Sequence, residues 1–170
     1  MSSHQKISAV VITLNEENNL GRCLRSLKEV ADEVLVLVSG STDKTLEIAS
    51  QFNARVITVE WQGYAATKNH GHNLAIHPFI LSLDADEELS EELRKDILAE
   101  KAKGLQNAYS VDRRNYYLGK WIKRAGWYPD RKVRLFHKEH ARWEGDFVHE
   151  TLTLDPNIHV TPLSGAFNHY

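Results

Sequence analysis

The sequence predicts an α/β fold, with a mostly parallel central sheet and helices on both faces. Short apolar runs alternate with segments of helical periodicity from residue 7 to about residue 104. The runs are rich in β-branched residues and almost wholly apolar, which is typical of strands buried on both faces. With 170 residues, the chain is long enough to form one domain with a substantial core.

The first part of the chain supplies four predicted strands, each followed by a predicted helix. The strands are residues 7–14, 34–38, 55–59 and 79–83. Asn18 is expected to cap the first helix, Thr42 or Asp43 the second, and Ser90 the fourth, which Gly104 ends. The third helix covers residues 65–76. Ligands of such sheets bind beyond the carboxyl ends of the strands.

The pattern changes after Gly104. Strands are predicted at residues 108–114, 132–138 and 147–154. The connection over residues 115–131 is long, aromatic and basic, with a single acid. A loop of this length in a compact domain usually has a function.

Composition limits the classes of partner. The formal net charge is −2, so the totals indicate no general affinity for nucleic acid or for membrane. The single cysteine excludes an internal disulfide and fits a reducing cytoplasm. We expect no signal peptide, because residues 2–6 are polar, and no stretch is long enough for a transmembrane helix.

Asp84 and Asp86 follow the fourth predicted strand, and Glu87 and Glu88 come directly after them. Four acids in five positions repel each other, so a bound cation is the simplest explanation. Carboxylate oxygens suit Mg²⁺ or Mn²⁺. The alternative is an acidic helix start, which accounts well for Glu87 and Glu88 but less well for the two aspartates.

Taken together, four motifs resemble those of the family 2 glycosyltransferases of GT-A fold. They are Thr13-Leu14-Asn15-Glu16, Ser39-Gly40-Ser41-Thr42-Asp43, Lys68-Asn69 and Asp84-Ala85-Asp86. The resemblance implies a metal-dependent transferase that uses a nucleotide sugar, with residues 1–104 as the donor-binding half and residues 105–170 as the acceptor side of the same domain.

The second part of the chain narrows the resemblance. The segments are residues 113–119, 126–130, 134–136 and 148–150. They look like the bacterial branch that adds glucose or a similar sugar to the lipopolysaccharide or lipooligosaccharide core, with inversion at the anomeric carbon. Members of that branch are usually longer, so a truncated carboxyl terminus is expected.

The resemblance also assigns site residues. The nucleotide-binding positions are Thr13, Asn15, Glu16, Val38, Gly40, Lys68 and Asp84. Asp86 and Asp84 would hold Mg²⁺ or Mn²⁺, and His149 would be a third ligand, a phosphate contact or a purely structural residue. For Thr13, Asn15 and Glu16, a helix-capping turn is an equally suitable explanation.

A base must take the proton of the acceptor hydroxyl. By order and spacing Glu150 is the first choice for this role, and Asp130 is the second. The acceptor-binding residues implied are Arg114, Trp121, Arg124, Trp127 and Arg131. Their basic and aromatic loop suits a phosphorylated glycan or lipid-linked saccharide, contact with an anionic membrane surface, or simple packing.

Val38 departs from the family pattern, which has an aspartate before Ser-Gly-Ser to hydrogen-bond the uracil or ribose. Valine cannot accept a hydrogen bond, and leaving the partner unpaired costs about 1–3 kcal/mol. On this basis Val38→Asp should tighten UDP binding.

Two other functions stay open: a degenerate, non-catalytic nucleotide- or sugar-binding module, and a nucleotidyltransferase. Residues 13–17 lack the glycines and basic residues of a nucleotidyltransferase loop.

Overall fold

A computed structural model describes residues 5–122, 130–146 and 149–170 of the chain. Within these residues, four helices are present: α1 (Leu20–Ser26), α2 (Thr45–Gln51), α3 (Tyr64–Leu74) and α4 (Glu91–Lys103). The strands of the first part are β1 (Ile7–Thr13), β2 (Glu33–Val38), β3 (Arg55–Thr58), β4 (Phe79–Asp84) and β5 (Glu87–Leu89). Those of the second part are β6 (Ala108–Tyr117), β7 (Lys120–Ile122), β8 (Arg131–His137), β9 (Ala141–Gly145), β10 (Glu150–Leu154) and β11 (Val160–His169).

One large sheet organises the molecule, in the strand order β3-β2-β1-β4-β8-β6-β11-β5, with β7 paired to β6. The first four strands of this order are parallel, and β11 is parallel to β6. Strands β8 and β5 are antiparallel to their neighbours. Strands β9 and β10 form a separate antiparallel pair. The predicted α/β class with a mostly parallel central sheet is confirmed.

Strand β1 shows why the sheet is buried on both faces. All seven of its residues are buried. Ile7, Ala9 and Val11 belong to one core with α1, α2 and α4, whereas Val10 and Ile12 belong to a second core that includes the end of α3. Alternate side chains of a strand point to opposite faces, so a run that is apolar throughout places helices on both sides.

The alternative explanation for the acidic segment, a solvated helix start directly after Asp86, does not hold. Residues 87–89 form β5, which pairs with the end of β11, and helix α4 begins only at Glu91. Ser90 caps α4 as predicted, because its hydroxyl accepts from the Leu93 N–H. Glu87 is 0% exposed. Burial beside an arginine, rather than solvation, accounts for this acid.

Four strands were not predicted from the sequence: β5, β7, β9 and β11. The predicted loop over residues 115–131 is partly sheet, since β6 extends to Tyr117 and β7 turns back onto it. Strands from both predicted halves interleave in one sheet, and the division into donor and acceptor sides stays a prediction. In the parts of the chain described, every helix is too short or too polar to cross a bilayer.

Candidate active site

A cleft of about 260 Å³ opens at the edge of the sheet where β1 and β4 end. It is lined by Ile12, Thr13, Leu14, Glu16, Trp61, Tyr64, Asp84, Ala85 and Asp86. We call it the Asp86 cleft. Of the residues predicted to bind nucleotide, Thr13, Glu16 and Asp84 lie on its wall. The carboxyl ends of parallel strands meet at one edge, which is why Ile12 and Asp84, although far apart in sequence, pair here.

The turns after β1 and β2 support each other beside this cleft. The Asn15 side-chain oxygen accepts from the Thr42 N–H at 2.8 Å, and the Asn15 N–H donates to the Ser41 hydroxyl at 2.9 Å. Gly40 has a φ of +73°, a value that glycine adopts without strain. Asn15 and Gly40 therefore shape the turns, and neither lines the Asp86 cleft.

Two aromatic residues of the Asp86 cleft were missed from the sequence. Trp61 and Tyr64 follow β3, and their rings meet edge to face with centroids 4.8 Å apart. Both are partly exposed. Aromatic faces stack on nucleobases, so the pair could hold a base. The signal was their place shortly after the third parallel strand, at the same edge as Thr13 and Asp84.

The Asp86 cleft is acidic. The pKa of Glu16 is raised, first because the side chain is partly buried and also because Asp86, Asp43 and Asp84 lie nearby; a hydrogen bond from Asn19 opposes the rise. Like charges gathered in one cleft favour either a proton or a cation. The site thus has the field that a divalent metal requires.

Asp86 contacts a histidine from the far end of the chain. The Asp86 Oδ2 atom lies 3.0 Å from His169 Nε2, and His169 Nδ1 lies 2.8 Å from the Asn115 Oδ1 atom. Burial by itself raises the pKa of Asp86, but the hydrogen bond and charge of His169 outweigh it and lower the pKa overall. Both ring nitrogens of His169 thus have an oxygen partner, which fixes the ring beside Asp86.

The residues around Asp86 fit a metal that is shared with a substrate. One oxygen of Asp84 and one of Asp86 are buried without a hydrogen-bond partner among the described residues. Among the described residues, no three His, Cys, Asp or Glu side chains lie close enough together to form a complete metal site. Mg²⁺ is often held by one or two carboxylates while substrate phosphates and water complete its shell, which matches this sparse donor set.

A second cleft, of about 540 Å³, lies on the other side of Asp84. It is lined by Lys68, Asp84, Arg113, Arg131, Lys132, Val133, Arg134, Trp143, His149, Glu150, Thr151 and Leu152. We call it the Glu150 cleft. Asp84 lines both clefts. A molecule crossing Asp84 would therefore reach Glu150 from the Asp86 cleft.

Lys68 holds the centre of the Glu150 cleft. Its side chain is only 2% exposed, and Nζ lies 2.9 Å from Glu150 Oε1 and 3.9 Å from Asp84 Oδ1. The same ammonium lies 4.1 Å from the centroid of the Trp143 ring. A buried ammonium requires such compensation. The predicted nucleotide-binding lysine is therefore tied to the predicted base, a link that the sequence did not indicate.

Helix α3 anchors the strand pair that carries Glu150. Asn69 bonds both to the Trp143 backbone N–H and to its carbonyl, at 2.9 and 2.8 Å. The Trp143 Nε1–H donates to His72 Nε2. Burial lowers the pKa of His72 to about 4, so the ring is neutral and can accept. Gly145 faces Glu150 across the pair, where an added Cβ would lie 2.0 Å from the His149 carbonyl oxygen.

Neither His149 nor Asp130 lines the Asp86 cleft. His149 is exposed, lines the Glu150 cleft, and donates its backbone N–H to Asp146. Asp130 is ion-paired with Arg113 at 3.8 Å and with Lys132 at 3.6 Å. Their predicted roles, as third metal ligand and second-choice base, stay predictions. His169, for which the sequence predicted no role, is the imidazole beside Asp86.

A buried ion pair fixes the position of Asp84. Glu87 Oε1 accepts from the Asp84 N–H and from Arg134, both at 2.8 Å, and Oε2 accepts from the other Arg134 nitrogen at 3.3 Å. Burial by itself lowers the pKa of Arg134, but Glu87 and Asp84 outweigh burial and raise it. Glu87 thus holds the backbone of Asp84 in place through its bonds to the Asp84 N–H and to Arg134.

The predicted acceptor-binding residues are only partly described. Arg124 and Trp127 lie outside the described residues. Arg114 donates twice to the Asn168 side-chain oxygen, at 3.1 and 2.8 Å. Arg131 pairs with Asp112 at 3.3 Å. Arg114 and Arg131 together line a third cleft of about 620 Å³, and Arg131 also lines the Glu150 cleft.

Val38 is 1% exposed and packs in the core shared by α1 and α2. Its side chain lines none of the three clefts. We therefore expect Val38→Asp to destabilise the fold by roughly 3 kcal/mol or more, because it buries a carboxylate among apolar groups. Urea denaturation measures this loss, with Val38→Ala as the size control. An aspartate variant as stable as the parent that binds UDP more tightly would restore the expectation from the sequence.

The fold, with an acidic cleft at the carboxyl ends of parallel strands and a second cleft beyond Asp84, is that of a GT-A glycosyltransferase. The model of the family "Glycosyl transferase family 2" matches residues 8–160. The chain belongs to glycosyl transferase family 2.

Curated relatives agree with this assignment. An uncharacterized glycosyltransferase of Rickettsia typhi is 31% identical over 176 aligned positions, which cover 98% of this chain and 60% of that protein. The lipopolysaccharide core biosynthesis glycosyltransferase LpsC of Rhizobium meliloti is 30% identical over 161 positions, covering 89% and 58%. The chain thus spans at most about 60% of the length of these relatives.

Solved structures show the same fold. Residues 1–349 of S. aureus TarS superpose with a TM-score of 0.69 at 17% identity, covering 96% of this chain and 60% of that one. The TarS complex with UDP-GlcNAc gives 0.57 at 25% identity, covering 70% and 37%. Glucosyl-3-phosphoglycerate synthase of Mycobacterium tuberculosis, crystallised with Mn²⁺ and UDP, gives 0.53 at 23% identity, covering 66% and 44%.

Proposed function

We propose that the chain transfers a hexose from a UDP-sugar to a saccharide acceptor, with inversion, in the synthesis of a cell-envelope glycan such as the lipopolysaccharide core. The observation that carries this proposal is the position of Asp84 on the walls of both clefts. One cleft offers aromatic and acidic groups for a nucleotide and a metal, and the other offers a carboxylate. The similarity to LpsC and to UDP-sugar-binding structures supports the choice of donor and pathway.

The donor would lie in the Asp86 cleft. Trp61 and Tyr64 would contact the base, and Thr13 and Glu16 the ribose. The residues that would hold Mg²⁺ or Mn²⁺ are Asp86 and Asp84, with substrate phosphates and water completing the shell. When bound, such a metal neutralises the charge that develops on the leaving diphosphate. The same cleft would place the anomeric carbon beyond Asp84, towards Glu150.

The acceptor would enter the Glu150 cleft. Glu150 takes the proton of the acceptor hydroxyl as its oxygen bonds to the anomeric carbon, and the bond from that carbon to the diphosphate breaks. Attack from the side opposite the leaving group inverts the configuration. Lys68 positions Glu150 through the 2.9 Å contact. Arg131, on the same wall, would contact acidic groups of a glycan or lipid-linked acceptor.

The reaction would take place in the cytoplasm, a reducing compartment in which the buried Cys23 stays a free thiol.

A thermal-shift titration with UDP tests the donor site and its metal. With Mn²⁺ present and UDP at about a hundredfold excess over its Kd, we expect the Tm to rise by about 5–10 °C. Chelation of the metal should remove most of this rise. Asp86→Asn should also remove it, because the amide loses the charge that attracts the metal while keeping its shape.

Asp155→Asn is the matched control, since Asp155 is an exposed aspartate paired with His140. This variant should respond to UDP and Mn²⁺ as the parent chain does. A rise that is equal with chelator and with Mn²⁺ would contradict the metal assignment. The absence of any response to UDP or other nucleotide sugars would favour the non-catalytic module instead.

A further inference from the structure

The hairpin between β6 and β7 presents a leucine where its turn disfavours one. Tyr117 and Lys120 pair across the hairpin, so Leu118 and Gly119 form a two-residue loop. Both have positive φ, +48° and +77°, as a type I′ turn requires. Asn-Gly is the usual choice for this turn, because asparagine tolerates the left-handed conformation and a bulky apolar residue does not.

Neither packing nor solvation accounts for Leu118. Its side chain is 83% exposed, more than any other large hydrophobic residue in the described ranges. The other non-glycine residues with positive φ in these ranges are three asparagines and a glutamate. An apolar side chain that is strained and fully hydrated contributes nothing to the isolated fold, so an external contact is the simplest reason for it.

The surroundings of Leu118 favour a lipid surface over a protein partner. Tyr117 is 56% exposed beside it, and Tyr116 and Trp121 stand at the base of the hairpin with ring centroids 4.9 Å apart. Tyrosine and tryptophan are enriched where apolar and polar phases meet. A tip of three or four side chains falls short of the roughly 800 Å² that each partner contributes to a stable protein interface. Binding to a bilayer requires no such minimum area, because each inserted side chain adds its own buried apolar surface.

Charge specifies the kind of lipid. Residues 114–122 contain two basic residues, Arg114 and Lys120, and no acid, although the whole chain has a net charge of −2. Lys120 is exposed next to the tip. A basic residue near an anionic leaflet adds attraction that salt weakens. We propose that the Tyr117–Lys120 turn inserts into the headgroup region of an anionic membrane.

The hairpin is joined firmly to the active site. Tyr116 and Trp121 pack on the Tyr170 ring with centroids 5.7 and 5.5 Å away, and the Tyr170 N–H donates to the Asp86 carbonyl. Asn115, which holds His169, precedes Leu118 by three strand residues, or about 10 Å. Insertion of the tip would therefore bring the Asp86 cleft close to the lipid surface, at a distance on the order of 10 Å.

Vesicle co-sedimentation tests the proposal with the purified chain and needs no substrate. We expect binding to phosphatidylcholine vesicles that contain phosphatidylglycerol, weaker binding to phosphatidylcholine alone, and a decrease when salt is raised. Leu118→Asn should weaken the binding at least about tenfold, because the leucine buries apolar area that the asparagine does not. The same variant should melt no lower than the parent, since Asn-Gly suits the turn, so unfolding cannot explain a loss.

Ile76→Asn is the matched control. Ile76 is a 67% exposed aliphatic residue between α3 and β4, at the opposite edge of the sheet. Its replacement should leave vesicle binding at the parent level. The proposal is overturned if the parent chain does not sediment with anionic vesicles, if Leu118→Asn binds as well as the parent, or if Ile76→Asn loses as much.

Discussion

Replacing Glu150 with glutamine should lower kcat by about 10²–10⁴-fold, because the amide cannot take the proton of the acceptor hydroxyl. Glutamine keeps the shape of the side chain, and its oxygen can still accept from Lys68, which lies 2.9 Å from the native carboxylate. UDP binding should therefore persist. The measurement is hexose transfer under saturating donor, alongside UDP affinity by calorimetry.

Glu144→Gln is the control for this prediction. Glu144 is an exposed carboxylate on the neighbouring strand β9, held by Arg142 and Thr153, and its removal should leave kcat unchanged. Should Glu150→Gln retain full activity while Asp130→Asn loses it, the base would be Asp130 instead. A loss of UDP affinity equal to the loss of kcat would mean that Glu150 acts in binding.

Glu87→Gln should lower the free energy of unfolding by about 3–5 kcal/mol, because it removes the carboxylate charge that is paired directly with the buried Arg134 guanidinium. Both side chains are almost completely inaccessible, and they are joined by contacts of 2.8 and 3.3 Å. The second consequence is local: the Asp84 N–H loses a charged acceptor. Urea denaturation measures the first effect, and UDP affinity in the presence of Mn²⁺ reports the second.

Glu91→Gln is the matched variant for stability, since Glu91 is an exposed acid that forms an ion pair with Lys95 at 3.6 Å. It should change stability by no more than about 0.5 kcal/mol. A further check is the pair Glu87→Leu with Arg134→Met, which should be more stable than the sum of the two single losses predicts. Simple additivity would show that the two residues contribute independently.

The parallel half of the fold was predictable because its signals are local. Apolar runs such as residues 34–38 and the Ser90 cap identify strands and a helix start without knowledge of their neighbours. Strand β11 gives no such signal: it contains Pro162 and Gly165, and its register shifts between Pro162 and Ala166. It is a strand because β6 and β5 lie on either side of it, a fact that local propensity does not contain.

The site residues also divide into those that local sequence signals identify and those that depend on distant parts of the chain. Asp84 and Asp86 stand out because four neighbouring acids need an explanation within five residues. The partner of Asp86, His169, is 83 positions away, and Lys68 and Glu150 are 82 positions apart. Such pairs depend on sheet order. Glu87 shows the reverse error, since an acid that reads as solvated in sequence becomes buried once Arg134 is brought beside it.

Strand β11 is the last strand to be synthesised of those described, and this has a consequence for folding during biosynthesis. Strand β11 lies between β6 and β5 in the sheet and carries His169 to Asp86. Ribosomes add about 5–20 residues per second, so roughly 4 to 17 seconds separate the appearance of Asp86 from that of His169. Until then the edges of β6 and β5 that β11 will cover are unpaired, and unpaired strand edges invite association between chains. Nascent chains of this protein should therefore depend on chaperone protection most strongly in that interval.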